Sequence, residues 1–405
     1  MTGCPVRMYG PEFQTDPGGL YERMRAEHGP VVPVRMEGDV PAWLVVGYRE
    51  VHQVVNDTSV FARSSGRWNA WHLVPDDWPM LPLVIQLPMV LNSEGADHRR
   101  RAGAITDALA GTDLHELRTT TARMADRLVD GFCSSGETDL RASYTGRLPA
   151  LVLSWMYGLD SVRGDAFAAN MTTMIDGGPD AMVAQQALMA AMAELVAERR
   201  ARPGPDVVSR LLAHPAGYSD EEAVPELIVL LGGGNQPTAE WLGNALRLML
   251  TDERFGASIA GARNSVQEAL NEVLWEDTPT QIQAGRFAAH DVELGGQIIR
   301  KGDMLLLGIA GANRDPLVRT TAGRIGDRGS QAHLSFSHGP HQCPYPAREI
   351  AEIIAVTGVE VLVDRLPDIE LAVPESELRW RPSPWVRGVT SLPVAFTPTD
   401  PYGAA

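Results

Sequence analysis

Basic residues, cysteines and long apolar runs are all in short supply in this chain, and each shortage closes off a class of function. Thirty-five Lys and Arg stand against 51 Asp and Glu, a formal charge of −16 over 405 residues. So acidic a chain excludes nucleic-acid binding. It leaves room for a cationic substrate, although most of the charge reads as solvated helix faces. The cysteines are three, Cys4, Cys133 and Cys343. A small odd set argues against a disulfide framework and for a reducing compartment, the cytoplasm. No apolar run is long enough to span a membrane, and the polar start Met1-Thr-Gly-Cys-Pro5 lacks a signal-peptide core, so no membrane partner is expected. Internal repeats and low-complexity linkers are missing as well.

What is present is an apolar content of 44%, enough for a sizeable core. Residues 31–47 alternate around Gly38 and Pro41, which predicts an early β-hairpin. Helical periodicity recurs at 113–132, 181–200 and 219–250. The last begins with Ser219-Asp-Glu-Glu222, a capping box that fixes its N-terminus. Between 63 and 90, Trp68, Trp71 and Trp78 lie among Gly66, Pro75, Pro79, Pro82 and Pro88, a composition that suits a structured loop. Those aromatics either anchor the loop to the core or stack on a substrate ring.

One segment carries chemistry: Phe336-Ser-His-Gly-Pro-His-Gln-Cys343. It sets a cysteine where a haem iron would want a thiolate, a ligand that favours O–O bond cleavage. Gly339 lets the backbone turn tightly under a porphyrin. His341 is within reach of a haem propionate, and Phe336 would shield the sulfur. A helical run from Ala347 to Val363 starts just beyond, with its N-terminal dipole placed to favour the thiolate. Other segments keep it company. Gly285-Arg-Phe-Ala288 precedes Asp291 to Gly302, and Ala312-Asn-Arg-Asp-Pro316 follows. Asp327-Arg328 and His333-Leu334 lead into the cysteine loop. Trp380 to Gly388 and Ser391-Leu-Pro-Val394 close the chain.

In these residues, in this order and over nearly its whole length, the chain resembles the cytochrome P450 superfamily, soluble actinobacterial type. The resemblance implies a mainly α fold with a small β lobe (α+β): one P450 domain over 1–405, its β-rich part near 30–47, 281–310 and 365–399. It implies haem b held by Cys343, O2 as co-substrate, and electrons from NAD(P)H through ferredoxin and ferredoxin reductase. It also implies a monomer acting on a small molecule or short peptide. His98, Arg286, Phe336, Gly339 and His341 are the expected haem contacts. Trp68, Trp71, Gly233, Gln283, Ala284, Pro384 and Trp385 are expected to face substrate.

Four positions depart from the family pattern. On the long central helix the acid–alcohol pair that delivers protons during oxygen activation reads Gln236-Pro237. Thr238 lies about 100° further round the helix. Pro237, which costs about 3 kcal/mol in a helix interior, and the glycines 232–234 beside it point to a widened groove, in which Gly234, Gln236, Pro237 and Thr238 would line the oxygen side. The Glu-x-x-Arg motif, whose partner is normally the meander arginine (here Arg328), appears as Glu272-Val-Leu-Trp275, as in a small Trp-bearing subgroup. Tyr345 stands two residues past the cysteine, where glycine is usual. His98 is followed four residues on by Ala102 rather than Arg, so one of Arg99, Arg100 and Arg101 is expected to take over the propionate. Loss of the acid–alcohol pair weakens the expectation of generic hydroxylation. The leading expectation is oxidative cross-linking of aromatic side chains in a peptide of secondary metabolism. The alternatives are hydroxylation of a small lipophilic metabolite and a haem-holding scaffold with little turnover.

Overall fold

The computed structural model describes residues 5–9, 16–76, 78, 80–176, 179–252, 255–256, 266–318, 330–381 and 383–402. Cys4, Asp327 and Arg328 lie outside the described residues.

Alternating apolar positions build the first hairpin. Strand β1 (Val6–Arg7) runs parallel to β2 (Val31–Arg35), which turns back at Gly38 (φ 74°) into β3 (Pro41–Val45). Phe61–Ala62 forms β4 and Glu137–Asp139 forms β5. The later strands are β6 (Gln283–Ala288), β7 (Val292–Leu294), β8 (Gln297–Ile299) and β9 (Met304–Leu307). The main sheet has the order β1-β2-β3-β9-β6-β4. It pairs β4 antiparallel to β6, with Ala62 opposite Phe287. Continued by one residue, that register sets Arg63 opposite Arg286.

Helices make up most of the remainder: α1 (Gly95–Ala110), α2 (Leu114–Asp130), α3 (Leu148–Met156), α4 (Ser161–Asp176), α5 (Ala181–Ala201), α6 (Asp220–Thr251), α7 (Val266–Glu276) and α8 (Ala347–Arg365). The α6 start is fixed as the sequence predicts, with Ser219 and Glu222 exchanging side-chain and backbone hydrogen bonds. Helices α3, α4, α5, α7 and α8 surround α6. Its apolar side chains Leu242 and Leu246 join Leu148, Val152, Ile354 and Val359 in the main core. Pro237 does not end the helix, which runs through it to Thr251.

The C-terminal segments do not pair as one hairpin. Trp380 only bridges Val389, and β11 (Pro393–Ala395) pairs with β10 (Glu370–Leu371) and with β5. The described residues of 63–90 form a loop of short turns with one helical turn, Leu81–Val84, and Pro79 lies outside them.

Candidate active site

The cysteine loop is shaped by its own backbone. The Ser337 amide donates to Leu334 (2.7 Å), Gln342 to Gly339 (3.1 Å) and Cys343 to Phe336 (3.0 Å). Gly339 sits at φ 74°. A Cβ there would lie 2.6 Å from the Val55 carbonyl oxygen, so glycine is required by the neighbouring chain as well as by the turn. Phe336 meets Trp241 edge to face at 5.9 Å, and the Arg348 guanidinium lies 5.4 Å from its ring centre. Cys343 opens into a cavity of about 540 Å³ whose other walls include Leu153, Leu230, Gly233 and Thr238. Burial pushes its thiol up to about 11. A bound metal reverses that, since a coordinating thiol is deprotonated outright.

At one edge of the cavity His98 and His341 face each other, ring centres 3.8 Å apart. Burial, then the charges of Arg63, His98 and Arg286, hold His341 down at about 2. Burial and the same two arginines lower His98. Arg286 is fully buried, and among the described residues its Nε and Nη2 have no hydrogen-bond partner. Basic groups gathered here, some with orphaned donors among the described residues, call for an anionic partner beside the two histidines. The two carboxylates of a haem would be such a partner, and Cys343 would be the residue placed to offer its iron a thiolate.

On α6 the sequence-predicted residues separate. Gly233, Gly234, Pro237 and Thr238 line the cavity. Gln236 does not, because its amide is held elsewhere. It donates to Glu240 (2.6 Å) and accepts from Thr172 of α4 (3.1 Å). Glu240, 1% exposed, also takes Arg141 (2.7 Å) and Arg381, and Arg381 reaches on to Asp176. The Thr238 hydroxyl is bound back to the Gly234 carbonyl at 2.6 Å. The role of Glu240 had no sequence signal, since both arginines are distant in the chain.

Of the expected substrate contacts, Gly233 and Gln283 line the cavity; Trp68, Trp71, Ala284, Pro384 and Trp385 do not. The tryptophans are loop anchors. Trp68 (4% exposed) packs against Trp71 and Trp78, and Trp71 Nε1 donates to Ser65. Trp78 Nε1 donates to Glu37, and Trp385 packs in the same cluster with its Nε1 against Met80 Sδ. The α1 arginines also go elsewhere than expected. Arg100 binds Asp97 and Glu222, and Arg101 binds Asp97, Glu222 and Glu226. Trp275 fills the motif's arginine position by donating to the Ser330 carbonyl (2.9 Å) and meeting His333 edge to face.

No family model matches the chain. Among curated relatives, biflaviolin synthase CYP158A1 of Streptomyces coelicolor is 30% identical over 397 residues, covering 96% of this chain and 94% of that protein. The chain belongs to the cytochrome P450 superfamily. The 2-hydroxy-5-methyl-1-naphthoate 7-hydroxylase of Streptomyces carzinostaticus is 29% identical over 404 residues, 96% of this P450 and 97% of that enzyme. The structure of CYP154C4 from Streptomyces sp. W2061 superposes with a TM-score of 0.89 at 25% identity, over 99% of this chain and 100% of that one. The relatives are bacterial hydroxylases and oxygenases of secondary metabolism. This P450 is therefore a haem-thiolate oxidoreductase that uses O2 and electrons drawn from NAD(P)H through redox partners. Among the described residues no helix is long and apolar enough to cross a membrane.

Proposed function

We propose that this P450 couples aromatic groups oxidatively, its substrate a short peptide carrying Tyr or Trp. The observation that supports this is the α6 wall of the cavity. The described α6 residues that line it carry no acid, and their one hydroxyl, on Thr238, is already bound. Bound haem supplies oxygen activation. The side chains then decide which substrate can complete the reaction. A phenol brings a dissociable hydrogen of its own, with a pKa of about 10, whereas an unactivated C–H group brings none. Two aromatic hydrogens, two electrons and two protons reduce O2 to two waters, and a bond forms between the rings. A Cβ at Gly233 would meet nothing within 4 Å, which leaves room beside the helix for a ring. Gln283 and Gly233 are the substrate-facing residues in this reading; the loop tryptophans have no part in it.

Ferredoxin and its reductase would supply the electrons. The whole chain would act as one P450 domain, in a subgroup marked by Trp275. A second reading, hydroxylation of a small lipophilic metabolite, draws on the apolar walls formed by Leu91, Leu153, Met156 and Leu230.

Optical titration of the ferric holoenzyme separates the readings. A saturable shift with Tyr- and Trp-containing peptides, and a product lighter by two hydrogens, is the expected result. A shift confined to small lipophiles, with a product heavier by one oxygen, transfers the assignment to hydroxylation. No shift and no turnover, with haem retained, leaves the substrate unknown and favours the scaffold role.

A further inference from the structure

The family's helix arginine is missing from α1, and the structure shows what stands near the vacated place. Arg63 follows β4, and the antiparallel pairing of Ala62 with Phe287 brings it opposite Arg286. It is 4% exposed. Its Nε donates to Leu91 (2.7 Å), and its Nη1 donates to Gly285 (3.1 Å) and Ala284 (3.3 Å). Among the described residues Nη2 makes no hydrogen bond. Glu94 takes the backbone amides of Arg63 and Ser64 and the side chain of Arg67, and among the described residues no carboxylate is hydrogen-bonded to the Arg63 guanidinium. Like charges directly opposite across a strand pair are destabilising. Two buried guanidiniums in that relation persist only if an anion joins them.

We infer that Arg63 binds the haem carboxylates, in place of the arginine absent from α1. Arg100 and Arg101 cannot do so while they hold Asp97, Glu222 and Glu226. Arg99 is exposed. Arg63 has the planar fork suited to a carboxylate, two of its nitrogens braced by carbonyls and the third left over. Burial holds its pKa down at about 10, which a carboxylate would reverse.

The test uses the holoenzyme and reads the propionates directly. In R63Q the propionate bending bands of the resonance Raman spectrum shift. Haem also transfers to excess apomyoglobin roughly tenfold faster or more, as loss of a charged hydrogen bond implies. R99Q leaves both unchanged. If R63Q loses haem faster with its propionate bands unmoved, Arg63 only braces the loop and the inference falls. It falls equally if R99Q is the variant that moves the bands. Should R63Q not accumulate as holoprotein, R63K decides: it keeps the charge without the fork, so its bands must shift, and unshifted bands overturn the assignment.

Discussion

A methyl group at position 339 would sit 2.6 Å from the Val55 carbonyl oxygen, on a backbone already at φ 74°. The left-handed conformation alone costs a non-glycine residue about 1–2 kcal/mol. Gly339→Ala is therefore expected to displace the cysteine loop, read as a fall in haem per protein and a weaker thiolate Soret band. Trp68→Ala is expected to cost about 3–5 kcal/mol of stability, as other buried aromatic truncations do. The folded fraction should keep its substrate affinity in the optical titration, because Trp68 does not line the cavity. The difference between these residues explains what the sequence could reveal. Cys343, Gly339 and His341 act within one short loop, so spacing carries their chemistry. Whether Trp68 looks inward to the cavity or into the wall depends on Trp78 and Phe287, and no local pattern encodes that.

At the scale of the element, α6 joins an interior proline to a buried charge cluster. Pro237→Ala restores an amide for the Gly233 carbonyl and should stabilise the holoenzyme by about 1–3 kcal/mol, seen as a higher denaturant midpoint. Coupling activity should fall as the groove narrows. Glu240→Gln leaves Arg141 and Arg381 without their shared carboxylate and is expected to cost about 3–5 kcal/mol. The amide oxygen left at position 240 still accepts from Gln236, so the substrate-induced spectral shift should persist while stability falls. The proline and the missing acid were visible in the sequence. The direction of Gln236 was not, because residues near 141, 172 and 381 set it from other elements.

Across the whole molecule, stability depends on pH through two buried carboxyls of opposite behaviour. Burial alone would push Asp277 up, but the charges of Arg387, Arg247 and Arg314 outweigh it and hold the carboxyl below its ordinary value. Its contribution is complete above the unfolded value of about 3.9 and is lost as pH falls through the lower folded value. Asp277→Asn should thus destabilise by about 3–5 kcal/mol at neutral pH, and by progressively less in urea melts taken further into acid. Glu226 is raised, by burial first, against the pull of the Val90 amide and Arg101. Its contribution is complete below its unfolded value and is lost as pH rises through the folded one. Glu226→Gln should gain on the parent as pH increases.

The pairing of β4 with β6 has a consequence of its own for how the holoprotein is made. With Arg63 opposite Arg286, that edge of the sheet repels itself until the cofactor's negative groups arrive. Cofactor loading and the last stage of folding are then one thermodynamic event, since whatever binds only the native state stabilises it. Protein made under haem starvation should have this edge unzipped, with hydrogen exchange fast at residues 61–63 and 285–288. Added salt should slow that exchange little, since buried cations are poorly screened, whereas added haem should slow it strongly.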